Sequence, residues 1–522
     1  MIGEKWKMSE RIILVFDVGT QSSRAMLIDS SGRIVGFERK RYDPPYFSPQ
    51  PEWAEQDADF YYEAISGCAL RLKERMPEEW KRIEAVSIST IRDTIVCVDR
   101  NGRPLRPAIL WLDKRMASGK PRFNAGSAAA LNLVGMKDTT VTQFQKSHVN
   151  WIRENEPEIW EKTYRCLLLS AYLVFRLTGV MADAAASMVG HLPIDSKKRC
   201  WLNRNALIYP VFPVESDKLS DVKETGEVFG YITHGCSSET GAPEGLPVIA
   251  TGSDRACEIL GLGCVDKHQA AIGLGTTATV TYMSDTYLEP ERFIPPYPAV
   301  VPGCWNPEVE IFRGYWLVEW FKKEFAHKEV QDAEKLGISP EDMMNMRLND
   351  IPAGCEGLVF QPYFTPNITM PTARGALIGF SDCHTRAHIY RAIIEGINFA
   401  LLDGMRMIEK RAGHRMDSVY LGGGGSQSDE ICQITADMFG IPVFRTATTE
   451  TTGIGCAVAT FVALGVFPDY RTGISRMVRI KDRFEPDMKI HEIYDTLYEH
   501  VFSRTYDRLN LEEPPSAHPY SG

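Results

Sequence analysis

Two aspartates in this chain of 522 residues stand at the ends of apolar runs, each close to glycines and hydroxyl side chains. Asp254 closes the run that ends in Gly252-Ser253-Asp254, where a strand gives way to a turn and one carboxylate is held in place. That is a place for a catalytic base. Asp17 opens Asp17-Val18-Gly19-Thr20-Gln21-Ser22-Ser23-Arg24, which combines a carboxylate, a glycine for close backbone approach, several hydroxyls and an arginine. Such a loop has the parts of a nucleotide-phosphate site: Asp17 can hold Mg²⁺ through water, while Gly19, Thr20, Gln21, Ser22 and Arg24 can hold phosphate oxygens. A polar β-hairpin is the plainer alternative, since Gly, Thr and Ser are common in turns. About twenty residues beyond Asp254, a second apolar run, Ala270 to Gly273, ends in Gly275-Thr276-Thr277, whose amides and hydroxyls can also face an anion. A base and a phosphate loop this close in sequence point to phosphoryl transfer to a hydroxyl.

Three further groups fit that chemistry. Arg92-Asp93-Thr94 interrupts a β-rich stretch, and buried charges there need either each other or a polar ligand. Sugar hydroxyls would use them; an internal salt bridge is the alternative. Trp111 offers an apolar face for the C–H surface of a sugar, although a single tryptophan is more often core. Gly422-Gly423-Gly424-Gly425-Ser426 follows the apolar Val419-Tyr420-Leu421, so a flat group could lie directly on the backbone, unless the loop is only flexible. Two other patterns are set aside. Gly273 to Ala278 fits a loose G-x-G-x-x-A fingerprint, but β-branched Thr276 to Tyr282 continues as strand rather than helix. His384 and His388 lie four apart and could share a helical face as metal ligands, yet no glutamate stands where a zinc protease needs it.

The elements that must position these residues are legible from periodicity. Ile12 to Phe16, Ala25 to Ile28 and Arg33 to Glu38 read as three strands joined by tight turns, with Ser30-Ser31-Gly32 as the second turn. Ile83 to Val98 reads as a strand pair broken by Ser89 to Thr94. Helices are expected from about Phe60 to Arg75 with Asp57 as cap, over Phe144 to Asn155, over Leu167 to Thr178, over Asp429 to Phe439 closed by Gly440, and in the apolar run Gly453 to Phe467. The second half repeats the first coarsely: strand, Gly-Thr turn, returning strand, with Glu308 to Phe312 as a third.

Composition bounds the rest. The length implies about two to four domains. A net charge of −10 argues against a nucleic-acid partner. The longest apolar run is too short to span a bilayer, and Met1 to Glu10 lack the apolar stretch of a signal peptide. Twelve scattered cysteines without a C-x-x-C pair read as reduced thiols in a cytoplasmic protein.

Asp17 to Arg24 followed by a β-meander resembles the first phosphate motif of the FGGY carbohydrate kinases, within the actin, hexokinase and Hsp70 class of ATPases. The resemblance continues in order: Trp53-Ala54-Glu55-Gln56-Asp57, then Ala108 to Arg115, and Phe144 to Asn155 for the first family signature. Gly375 to Phe380 with His388 to Glu395 matches the second signature. It implies an α/β fold of two ribonuclease H-like (actin-like ATPase) lobes around a central cleft: residues 1–256 bind sugar and carry the first phosphate loop, residues 257–502 bind ATP, and 503–522 form a loosely held tail. It also implies that Asp254 takes the proton of the attacking hydroxyl, that Gly275, Thr276 and Thr277 hold phosphate, and that Gly423, Gly424, Gly425 and Ser426 hold adenosine. Arg92, Asp93, Trp111, Asp254 and Arg255 would contact the substrate, with ATP and Mg²⁺ as cofactors and a homodimer or homotetramer as the assembly. Arg92-Asp93-Thr94 is closer to the R-E-T triplet of glycerol kinases than to the M-H-G of xylulose kinases, whereas Arg255 departs from the glutamine common in glycerol kinases. The expected activity is transfer of the γ-phosphoryl of ATP to a hydroxyl of a small polyol or ketose. The alternatives are an actin- or Hsp70-like nucleotide switch without a sugar substrate, and a sugar sensor, against which the intact Asp17 and Asp254 argue.

Overall fold

Apolar residues on consecutive positions, not alternate ones, mark the strand at the centre of the first half: Ile12–Val18 (β1) is buried along its whole length. A strand covered on both faces has that pattern. Its alternate residues serve two cores: Ile12, Leu14, Phe16 and Val18 pack toward the helix Ala58–Arg75 (α1), whereas Ile13 and Val15 face the middle of the molecule. The computed structural model describes residues 11–291, 294–365, 370 and 373–509; Met1 to Glu10 and the tail beyond 509 lie outside the described residues.

β1 joins Ser22–Asp29 (β2), Ile34–Arg41 (β3), Ile83–Thr90 (β4), Val228–Tyr231 (β5) and Pro247–Ile249 (β6) in a sheet of order β3-β2-β1-β4-β6-β5. A second sheet contains Gln269–Leu274 (β7), Ala278–Tyr282 (β8), Glu308–Ile311 (β9), Ser418–Gly422 (β10), Val443–Thr446 (β11) and Ile480–Phe484 (β12), in the order β9-β8-β7-β10-β11-β12. The two orders correspond strand for strand, and so do the directions: antiparallel across the first three strands, parallel across the next two pairs, antiparallel at the far edge. The coarse repeat expected from the sequence is a repeat of topology, with Glu308–Ile311 as its third strand.

Helix Asp254–Gly261 (α2) follows β6; Arg386–Ala412 (α3) and Asp429–Phe439 (α4) flank the second sheet, and Thr451–Ala463 (α5) comes after β11. α5 belongs to the second half by sequence, yet it packs with α2 against the inner face of the first sheet, around Ile13, Val15, Met26 and Ile28. The two helices touch backbone to backbone: a Cβ on Gly261 would collide with the Thr451 carbonyl, and one on Gly455 with the Cys257 carbonyl. This crossing ties the lobes together directly behind Asp254.

Some expectations change. Ile83–Thr90 and Ile95–Val98 are not partners; the second strand enters a separate four-stranded sheet with Glu55–Gln56, Ala108–Ile109 and Arg165–Leu168, because Ser89 to Thr94 leads the chain out of the first sheet. Asp57 holds the N-cap position of α1 but makes no capping hydrogen bond. The segment 144–155 is broken at Ser147, whose hydroxyl caps a new helix, His148–Asn155. Ser503–Leu509, expected as loose tail, is helical, with Thr505 buried. All twelve cysteines are free thiols, and among the described residues no helix is long and apolar enough to cross a membrane.

Candidate active site

The turn between β1 and β2 is closed by Gly19 N–H donating to the Ser22 carbonyl at 3.0 Å, and β-pairing sets Asp17 opposite Arg24. Arg24 Nη1 donates to Asp17 Oδ2 at 2.6 Å, and its Nε lies 3.1 Å from Glu450 at the start of α5. Arg24, expected to hold phosphate, is thus also paired with one carboxylate from each half of the chain. Burial raises the pKa of Asp17; Arg24 opposes the shift and Glu258 adds to it.

Asp254 is the first residue of α2, one step beyond Ser253, whose hydroxyl caps the helix. Its Oδ1 accepts the Arg255 N–H at 2.7 Å. Burial pushes its pKa up to about 6, against the pull of the Arg92 guanidinium and the Arg255 N–H, while Asp17 and Glu258 repel its charge. A carboxylate so placed is ionised at neutral pH and more basic than a free one, as a proton acceptor requires. Asp17 and Glu258 both repel the charge of Asp254, a repulsion that a hard divalent cation near Asp17 and Asp254 would relieve, with water filling its remaining positions.

Arg255 joins these carboxylates to the other lobe. It pairs with Glu258 one helical turn on and, at 3.2 Å, with Glu308 of β9. Glu308 also receives Arg92 Nη1 at 3.0 Å. One buried carboxylate from the second sheet thus pins two arginines of the first half. Burial raises the pKa of Glu308, and the two arginines more than reverse this, leaving it below the usual range. The Arg92 guanidinium also lies 5.1 Å above the Tyr297 ring. Glu310, two residues along the same face of β9, is raised by burial, with Arg92 opposing.

The Arg92-Asp93 pair is not internal to itself. Asp93, at φ 47°, accepts from the His191 N–H at 3.0 Å and lies 2.6 Å from its Nδ1. Burial pushes its carboxyl up, but His191 wins and holds it at about 2. Trp111 is exposed, and its Nε1–H donates to Thr20 Oγ1 at 3.0 Å, joining it to the turn between β1 and β2.

Across the cleft, Tyr315 N–H donates to the Gly275 carbonyl and Trp316 N–H to that of Thr276, at 2.9 and 3.3 Å. Thr277 Oγ1 reaches the Phe312 carbonyl at 3.4 Å. Gly423, at φ 81°, abuts the Leu274 backbone, so the glycine loop is in contact with the end of β7, just before the Gly275 turn. A Cβ on Gly425 would enter the Tyr315 ring, whereas Gly424 opens to free space. Ser426 is buried, and its hydroxyl donates to the Gly423 carbonyl at 2.7 Å, so it shapes this loop from within.

The N-terminal domain of the FGGY family of carbohydrate kinases matches residues 12–261, and the C-terminal domain matches 270–464. The chain belongs to that family. The carbohydrate kinase is 30% identical over 497 residues to "Uncharacterized sugar kinase YgcE" of Escherichia coli, covering 95% of this chain and 93% of that protein. It is 26% identical to a xylulose kinase of Lactococcus lactis, over 95% and 96% of the two chains. The fold is that of a xylulose kinase from Brucella ovis, with a TM-score of 0.79 at 22% identity over 96% and 99% of the chains. It is also that of a Plasmodium falciparum glycerol kinase with ADP, with a TM-score of 0.76 at 18% identity over 95% and 98%.

The site of this kinase contains residues that sequence reading passed over. Glu258, Glu308, Glu310, Tyr297, His191, Tyr315 and Glu450 have no motif of their own. One signal for Glu258 was available, since it lies one helical turn from Arg255. Glu308 and His191 carry none, because the partners of Glu308 are 216 and 53 residues away and that of His191 is 98 residues away.

Proposed function

We propose that this carbohydrate kinase transfers the γ-phosphoryl of ATP to a hydroxyl of a small, neutral polyol or ketose, with Asp254 as the base. Residues 1–256 would form the sugar-binding lobe with the first phosphate loop, and 257–502 the ATP lobe. ATP phosphates would rest on Gly19 to Ser22 and Gly275 to Thr277, with adenosine on Gly423 to Gly425. Asp17, with Asp254 and Glu258 near it, would hold Mg²⁺, which neutralises phosphate charge when bound. Asp254 would accept the hydroxyl proton as the phosphoryl group transfers, and the lobes would exclude water as a competing nucleophile.

The observation that carries this reading is the placement of Asp254 as the first residue of α2, its Oδ1 held by the Arg255 N–H, within electrostatic reach of Arg92 and Asp17 and with its pKa raised by burial. Neutrality of the substrate rests on a second observation: Arg92 and Arg255 are already matched to Glu308 and Glu258. Relatives include xylulose, autoinducer-2 and gluconate kinases, and the matched charges favour an uncharged acceptor over a sugar acid.

ADP release from Mg²⁺-ATP tests both parts against glycerol, tetritols, pentitols, ketopentoses, ketohexoses, aldoses and gluconate. Stimulation by one neutral member is the expected result. Stimulation by gluconate alone would overturn the neutral-acceptor reading. ATPase activity that is equal across the panel and unaffected by Arg92→Ala would instead favour a nucleotide switch.

A further inference from the structure

His384 and His388, four apart near the start of α3, meet two residues that no helical spacing could have placed there. Glu356 comes from a short turn ahead of the strand Val359–Gln361, and Cys383 from the segment before α3. One carboxylate oxygen of Glu356, Cys383 Sγ and one ring nitrogen of His384 all lie within 4.8 Å of one another. Across a tetrahedral zinc site such donors are about 3.3–3.6 Å apart, so closing onto an ion needs side-chain adjustments of about 1 Å.

The donors are oriented for this. His384 Nε2–H is held on the Cys355 carbonyl at 3.0 Å, which leaves the lone pair on Nδ1. Ser381 Oγ lies 3.0 Å from Cys383 Sγ and 3.3 Å from His384 Nδ1, so sulfur and nitrogen converge on one place; Ser381 N–H also donates to Nδ1, at 2.8 Å. His388 Nδ1 accepts from Thr385 N–H at 3.1 Å in the capping box of α3, and its Nε2 lies 3.1 Å from Glu356 Oε2. A histidine that donates to a ligating carboxylate fixes its direction. Cys355 and Glu356 both adopt left-handed backbone, at φ 49° and 53°, which is costly for residues other than glycine and aims the Glu356 side chain.

We propose that Glu356, Cys383 and His384 form a surface site for a divalent transition metal of the Zn²⁺ class, with His388 as the positioning residue of Glu356 and a fourth position open to solvent. Thiolate and imidazole donors select such an ion over Mg²⁺ or Ca²⁺. Binding exchanges the thiol proton, released to solvent, for a metal–sulfur bond, and gives up the Ser381 hydrogen bonds to His384 Nδ1. Two anionic ligands then balance the ion's charge. The site fastens the 355–357 turn to the segment that leads into α3. It involves none of the residues assigned to ATP or sugar, so its failure would leave the kinase reading untouched.

The test is titration of the full-length protein, stripped with chelator and free of nucleotide, with Co²⁺ followed by absorption. The expected result is one equivalent bound, with an intense near-ultraviolet thiolate-to-cobalt band that Zn²⁺ removes. Cys383→Ser should abolish the band, Glu356→Gln should weaken Co²⁺ at least about 10-fold, and Cys200→Ser, at a distant thiol, should change neither. Sugar-kinase turnover of Cys383→Ser should equal that of the parent, which also reports that the variant is folded. No thiolate band at saturation, or a band that survives Cys383→Ser, overturns the proposal.

Discussion

The two central hairpins follow one plan and differ in charge at the penultimate pair of positions. In the first, the penultimate pair is Asp17 opposite Arg24, an ion pair; in the second it is Gly273 opposite Thr279. The parallel neighbour of Asp17 is Ser89, and that of Gly273 is Gly422. The second lobe has cleared its side chains where the first keeps charge. The room is taken from outside: a Cβ on Gly273 would lie 2.5 Å from Arg255 Nη1, and one on Gly422 would collide with the Glu258 carboxylate. Duplicate topology therefore does not give duplicate chemistry. One hairpin holds its own ions, and the other is a bare floor on which α2 lays Arg255 and Glu258.

The largest effect should come from the charged side. Asp254→Asn should lower turnover by about 10²–10⁴, roughly 3–5 kcal/mol in barrier, with ATP still bound. Near-normal turnover would remove the base assignment. In the parent, kcat/KM should fall below about pH 6, because the protonated carboxyl cannot accept a proton. Arg92 lowers this pKa, so Arg92→Ala should move the acidic limb to higher pH. A limb that stays in place would separate Asp254 from Arg92.

Glu308 links the two sides. Glu308→Ala would leave the half-buried Arg92 without its carboxylate and Arg255 with Glu258 alone, at a cost of about 1–3 kcal/mol in unfolding free energy; urea denaturation measures it. A loss below about 1 kcal/mol would mean that water reaches both guanidinium groups.

Gly273→Ala tests the bare floor. The methyl group must displace Arg255, costing about 1–3 kcal/mol and lowering turnover on the order of 10-fold by misplacing the neighbour of Asp254. The control is Gly424→Ala, where nothing stands within 4 Å of the added carbon. Equal effects from the two in thermal unfolding would refute the packing argument. The smallest effect is Trp111→Phe, which removes the bond to Thr20 and should cost about 0.5–1.5 kcal/mol, read as a rise in the KM for ATP or sugar.

Particular residues mark how far the sequence could be read. The strands Ile12–Val18 and Gln269–Leu274 were visible because buried central strands are continuous apolar runs, and the glycine closing α4 was visible because a left-handed cap favours it. Asp17, Asp254 and the glycine loops were visible because turns after strands have a restricted vocabulary. The separation of Ile83–Thr90 from Ile95–Val98 into different sheets was hidden, since two apolar runs around a polar break look like any hairpin.

The sequence by itself determined the local elements, the duplicated strand order in outline, and the residue types available for phosphoryl transfer, because periodicity and turn chemistry act over a few residues. Tertiary structure alone decided which charges neutralise each other: Arg24 with Glu450, Arg92 and Arg255 with Glu308, Asp93 with His191. Burial sets the raised pKa of Asp254 against the pull of Arg92, and those pairings set the charge left around it. They depend on distances of a few ångströms between residues that are distant in the chain, and no spacing in a sequence encodes them.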